Sequence, residues 1–158
     1  MPIATKSSRI DISKEADTAI LAKKFAKILK NGDVVFLYGE IGVGKTTFVR
    51  HLINNIEKKK NLKLSEVTSP TFTLLNEYII DNIHVHHYDL FRLKKKSETK
   101  NIGIFEETNK ILTLVEWPEK IEKVPNETIK LKFEYDINSE KRFIKILNFN
   151  AKFLDESK

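Results

Sequence analysis

Residues 39–46 read Gly39-Glu40-Ile41-Gly42-Val43-Gly44-Lys45-Thr46, a match to the pattern G-x-x-x-x-G-K-[ST]. Each fixed position has a chemical reason. Glycines let the backbone curl until successive N–H groups point inward at phosphate oxygens, and a helix that begins at the lysine adds its positive end. Lys45 then reaches β and γ phosphates, and Thr46 offers a hydroxyl to magnesium, so the motif implies a polyphosphate nucleotide and Mg2+ as the bound groups. At ordinary residue usage such a match arises by chance in roughly one chain of this length in a few hundred. Here it also follows an apolar run and precedes a helical pattern, as the chemistry requires.

A phosphate loop needs an acidic group beyond the sheet edge to hold or polarise the magnesium shell. Two carboxylates end apolar runs: Asp89, in His87-Tyr88-Asp89-Leu90, and Glu116, in Leu114-Val115-Glu116-Trp117. Pattern alone does not rank them. Thr68-Ser69-Pro70-Thr71 places a proline between hydroxyl residues, which suits a loop presenting Ser69 or Thr71 to a γ-phosphate or metal, and equally suits a plain entry into a strand. His84, His86 and His87 do not make a three-ligand metal site, because alternate residues of a strand share a face and His87 points away from the other two. Sheet packing is the expectation for them.

The elements that must position these groups follow from periodicity. Arg9 to Ile12 alternates as a short strand. Ser13 is placed to cap the next helix, with Glu15 and Asp17 at its positive end and Leu21, Phe25, Ile28 and Leu29 along one stripe. Asn31-Gly32 stops that helix. Asp33 to Tyr38 is a nearly continuous apolar run, the pattern of a parallel strand covered on both faces, and Thr46 to about Glu57 is the helix after the glycine-rich turn. Phe72 to Ile80 and Ile83 to Asp89 read as a hairpin turning at Asp81-Asn82. Lys94 to Lys110 reads as polar helix around Gly103, and Ile111 to Glu116 as a second buried strand ended by Trp117-Pro118. Thr128 to Tyr135 and Lys141 to Phe149 read as an antiparallel hairpin with one wet face. The expected fold class is α/β: a three-layer P-loop NTPase sandwich with a mixed, partly antiparallel sheet, in a single domain over 1–158.

Composition narrows the function classes. The chain of 158 residues is 41% hydrophobic and 32% charged, which suits a globular domain with a sizeable core. With no cysteine, disulfides, thiolate metal sites and a Cys nucleophile are excluded. No stretch resembles a signal peptide or a membrane span, so a cytoplasmic protein with no membrane partner is expected. The net charge of +6 resides in Glu57 to Lys63 and Arg92 to Lys100, and the remainder is near neutral. With only 4 arginines among 28 basic residues, much of that charge reads as a solvated lysine face.

Four segments taken together, Gly39 to Thr47, Ser69 to Leu74, His87 to Leu93 and Val115-Glu116-Trp117-Pro118-Glu119, resemble the TsaE (YjeE) family in order and spacing. These are bacterial ATPases of tRNA threonylcarbamoyladenosine formation. The resemblance runs from about Ile10 to Ile146 and departs at Lys94 to Lys100, where the family is usually more acidic. It implies that ATP is held by Glu40, Ile41, Gly42, Val43, Gly44, Lys45, Thr46 and Thr47, with Glu15 and Thr18 near the adenine end. It further implies that Glu116 is the metal-side acid with Thr46, that Asp89 is a second carboxylate essential for hydrolysis, that Ser69 to Thr71 form a switch-like loop, and that Trp117 is part of the site wall. The implied partners are the TsaD and TsaB subunits of the transferase complex, with tRNA met through that complex. Two other functions share the phosphate cradle. A small-molecule kinase needs an Arg-rich lid, and Arg9, Arg50, Arg92 and Arg142 do not cluster in the sequence. A binding module using ATP as a clamp, or touching RNA through its lysines, is separated by salt-dependent tRNA affinity without any partner.

Overall fold

The computed structural model describes residues 9–138 and 140–148. The end of the last predicted strand, Phe149, lies outside them. Seven strands form one mixed sheet in the order β1-β7-β6-β2-β5-β4-β3. They are β1 (Arg9–Asp11), β2 (Val34–Tyr38), β3 (Leu75–Ile80), β4 (Ile83–Asp89), β5 (Leu112–Glu116), β6 (Ile129–Tyr135) and β7 (Arg142–Leu147). The central four, β6, β2, β5 and β4, run parallel, while β7 and β3 run antiparallel to their inner neighbours and β1 antiparallel to β7. Parallel pairing brings the carboxyl ends of β2, β4 and β5 to one edge. The loop after β2 and the acids ending β4 and β5 therefore meet there.

The apolar run of β2 is buried on both faces. Val35 and Leu37 pack with α1 (Glu15–Ile28) and α2 (Lys45–Lys59), whereas Val34 and Phe36 face the other way with Tyr88, Leu90, Val115 and Ile121. Phe48, Leu52, Ile53 and Ile56 of α2 are almost fully buried, contributing about 1.5–3 kcal/mol each. Phe48 meets Phe25 of α1 edge to face at 5.7 Å and Phe133 of β6 at 6.1 Å, locking helix, helix and sheet together. α2 is thereby held with its first turn against the end of β2.

The layer on the opposite face consists, among the described residues, of 3-10 turns and loops. Where the sequence suggests helix over Lys94 to Lys110, the chain forms 3-10 turns at Lys96–Ile102 and Thr108–Lys110. Gly103 between them has φ +62, a left-handed conformation that a right-handed helix cannot continue through, so the helix breaks. Ser13 also differs from expectation. Lys14 occupies the N-cap of α1, and the Ser13 hydroxyl accepts a hydrogen bond from Arg142 N at 3.0 Å, joining the end of β1 to β7. The strand expected from Phe72 begins at Leu75, because Leu74 N turns back to Pro70 O at 2.7 Å and Leu74 has φ +71.

Glu57 reads in the sequence as one charge in a lysine run, yet it is buried. Its carboxylate accepts from Ser65 N at 2.9 Å, from the Ser65 hydroxyl and from Asn54 Nδ2 at 3.0 Å, and so fixes the segment leading toward Ser69. No helix of the described residues is long and apolar enough to cross a membrane.

Candidate functional site

The loop from β2 to α2 depends on its glycines. Gly39 has φ +146, and an added Cβ would lie 2.8 Å from Val43 Cγ1 and 2.9 Å from the Phe133 carbonyl oxygen, so no larger residue fits without moving backbone. Gly44, the N-cap of α2, has φ +114. The first turn of α2 carries no acidic residue, which leaves its N–H groups and positive end free of a compensating side chain. Lys45 opens that turn. Its Nζ donates to the Gly39 carbonyl and, at 3.2 Å, to the Glu40 carbonyl, and lies 4.0 Å from the Trp117 ring centre. Burial lowers its pKa from the ordinary lysine value, opposed by the charges of Glu116, Asp89, Glu119 and Glu40. A desolvated ammonium held by two neutral carbonyls is suited to exchange them for anionic phosphate oxygens.

The two acids that pattern left unranked receive different partners. Asp89 and Glu116 are register neighbours on parallel strands and both are buried. Glu116 faces the phosphate loop: Thr46 Oγ1 lies 3.2 and 3.1 Å from its two oxygens. Asp89 faces the Ser69–Thr71 loop, accepting from Ser69 Oγ at 2.5 Å and Thr71 Oγ1 at 3.1 Å, while Phe91 N donates to its other oxygen at 2.9 Å. Ser69 and Thr71 therefore reach the site bound to Asp89. The loop and the second acid are joined by these hydrogen bonds into one unit.

Trp117 follows the end of β5 at Glu116 and takes a left-handed conformation with φ +59. Its indole therefore lines the cleft, under the Lys45 ammonium and 4.9 Å from the Phe91 ring. As the only tryptophan it should report on the site. Its emission is expected to change on titration with Mg·ATP, and Trp117→Phe should reduce turnover more than nucleotide affinity. Flat emission with binding confirmed by calorimetry would place the indole away from the ligand.

These residues line one cleft of about 340 Å³ containing Gly42, Gly44, Lys45, Thr46, Thr47, Ser69, Thr71, Asp89, Glu116, Trp117 and exposed Ile41. Of the other expected contacts, Glu40 borders it through the loop carbonyl that accepts from Lys45, while Val43 turns its side chain into the core. Glu15 and Thr18 are not in the lining. Thr18 is buried in α1, and Glu15 pairs with Arg50 at 3.3 Å and His51 at 3.0 Å on α2. A second hollow of about 440 Å³, bordered by Gly103, Phe105 and Ile121, contains no residue of this set, and volume alone does not mark the chemistry.

Three lining or supporting residues were not identified as site residues from the sequence. Phe91 and Arg142 line the cleft, and His87 lies directly behind Glu116. Arg142 arrives because β7 starts at the edge where β6 ends, pairing with Tyr135, a consequence of strand order rather than local pattern. His84 and His86 take no part: His84 is exposed and His86 pairs with Glu77 at 3.0 Å. Among the described residues no group of three or more His, Asp or Glu is arranged to hold a metal by itself.

Comparison with known proteins identifies the family. The family model for the threonylcarbamoyl adenosine biosynthesis protein TsaE matches residues 12–144. A tRNA threonylcarbamoyladenosine biosynthesis protein TsaE of Rickettsia typhi is 39% identical over 110 residues, covering 70% of this chain and 74% of the relative. Its counterpart in Rickettsia bellii is 34% identical over 143 residues, covering 90% and 96%. The Aquifex aeolicus protein of the same name is 38% identical over 109 residues, covering 69% and 75%. In fold, the chain is similar to Bacillus subtilis YdiB, known from a crystal structure, with a TM-score of 0.70 and 24% identity over 94% of this chain and 92% of that one. On the matched residues, the extent of the relatives covered and the shared fold, this chain belongs to the TsaE family.

Proposed function

We propose that this chain is a slowly hydrolysing P-loop ATPase that supports threonylcarbamoyl modification of the adenosine next to the anticodon of tRNA, as a cytoplasmic subunit of a multiprotein complex with TsaD and TsaB. The observation that carries the ATPase reading is the convergence of the Thr46 hydroxyl and the Glu116 carboxylate, 3.1–3.2 Å apart, beside the Lys45 ammonium. The names of its relatives support the tRNA reading.

The residues fit magnesium. Hydroxyl and carboxylate are the oxygen donors it takes, and one or two protein ligands plus nucleotide phosphates are its usual complement. Thr46 and Glu116 would hold it, and it would neutralise charge on the β and γ phosphates. Lys45, released from the Gly39 and Glu40 carbonyls, turns its ammonium to the phosphate oxygens, and the open first turn of α2 adds its N–H groups. Asp89 is placed to orient an attacking water while held by Ser69, Thr71 and Phe91 N. Trp117 and Phe91 form an apolar wall that limits water on that side.

A kinase reading has less support. Arg50 is paired with Glu15, Arg92 donates to the Phe72 carbonyl, Arg9 lies 4.0 Å over Phe143, and only Arg142 lines the cleft. Phosphate release from ATP by the purified chain tests the choice, since a kinase would leave the phosphoryl group on a metabolite.

Lys94, Lys95 and Lys96 are exposed and lie outside the cleft lining. Neutralising all three should leave ATP binding intact and weaken assembly with the modification complex or its tRNA. An unchanged complex at physiological salt would identify a solvated lysine face.

A further inference from the structure

His87 has no exposed surface, and its Nε2 lies 2.6 Å from Glu116 Oε2, the shortest contact that carboxylate makes among the described residues. Its Nδ1 is buried with no hydrogen-bond partner among the described residues. A ring hydrogen on Nδ1 would bury a donor with nothing to accept it, whereas a hydrogen on Nε2 meets a carboxylate and leaves only a lone pair unused. The geometry therefore fixes the tautomer: Nε2–H donates to Glu116. The same Oε2 also accepts from Thr46 Oγ1 at 3.1 Å, so one carboxylate oxygen is held from the β4 side by the imidazole and from the α2 side by the threonine. The placement is set by the sheet. His87 pairs in register with Leu114, two residues before Glu116 on β5, so its ring reaches forward beneath the carboxylate rather than into the cleft. It is absent from the cleft lining.

We propose that His87 is a positioning residue: by donating from Nε2 it fixes the rotamer of Glu116, keeping the carboxylate turned to Thr46 and preorganised for the cation of the nucleotide complex. The proposal rests on the reading of Thr46 and Glu116 as the magnesium-side pair. Partners of this kind orient a ligand without touching the metal, and their loss typically lowers metal affinity about 10- to 100-fold.

The first test needs no metal and no turnover. In 15N NMR of the full chain without nucleotide, His87 should show a pyrrole-like Nε2 coupled to its proton and a pyridine-like Nδ1, and a pyrrole-like Nδ1 would overturn the proposal. The second compares His87→Phe, which fills the space without a donor, with His87→Gln, which restores an N–H near the Nε2 position. Calorimetry of ADP binding is carried out over a range of magnesium concentrations. The half-saturating magnesium concentration should rise about 10- to 100-fold in His87→Phe and return close to wild type in His87→Gln, with metal-free ADP affinity unchanged in both. Equal losses in both variants would reduce His87 to packing and overturn the proposal, as would a magnesium requirement that stays at the wild-type value in His87→Phe. Glu116→Gln separates the two levels. If it shifts the magnesium requirement while His87→Phe does not, only the role of His87 fails; if neither shifts it, the magnesium-side reading of Glu116 fails first and this proposal with it. Should His87→Phe not fold, the tautomer and the Gln variant still decide.

Discussion

A Lys45→Ala chain is expected to lose ATP hydrolysis by at least about 10²- to 10³-fold, the usual consequence of removing a preorganised cationic or hydrogen-bonding group from a reacting centre. The cleft holds no substitute among the described residues. Among the residues lining the cleft, Arg142 is the only other cation, and it starts β7, two strands from β2, with its guanidinium 5.8 Å over the Tyr135 ring. Folding should survive, because the lysine donates only to the Gly39 and Glu40 carbonyls, a net contribution of about 1 kcal/mol per hydrogen bond. Thermal unfolding beside single-turnover phosphate release separates the two effects. Wild-type turnover in this variant would remove the phosphate loop from the reaction.

Glu116→Gln and Asp89→Asn should each reduce turnover by about 100-fold while failing in different ways. Glu116 touches Thr46, so its variant should demand more magnesium for both binding and turnover. Asp89 touches Ser69, Thr71 and Phe91 N, so its variant should bind Mg·ATP near wild-type affinity and fail in the chemical step. Steady-state kinetics at several magnesium concentrations distinguish them. A magnesium shift confined to Asp89→Asn would exchange the two roles.

Much of the candidate site was legible in the sequence because the glycine-rich loop is fixed by local chemistry. Three glycines with positive φ, a lysine and a hydroxyl must stand at set spacings, and a buried strand must come before them. The runs of β2 and β5 were equally plain, since a strand covered on both faces is mostly apolar. What eluded the pattern depends on strand order and backbone detail. Asp89 and Glu116 look alike at the ends of apolar runs, and only the placement of β5 beside β2 sets Glu116 against Thr46. His87 gains its role from the β4–β5 register, a pairing between residues far apart in the chain. Trp117, expected as part of the site wall, enters the cleft through its own left-handed backbone conformation, which no local pattern announces. Arg142 arrives because β6 and β7 turn back at the same edge. The polar stretch before Ile111 carried helical composition, but Gly103 and short 3-10 turns divide it.

Phosphate release from ATP tests the central claim most directly, measured for the purified chain alone and then with TsaD and TsaB, in the presence and absence of magnesium. Slow release that requires magnesium and Lys45 and changes when the partner subunits are added is the predicted result. No release under either condition, with calorimetry showing no Mg·ATP binding, would contradict it, as would transfer of the γ-phosphoryl group to a metabolite.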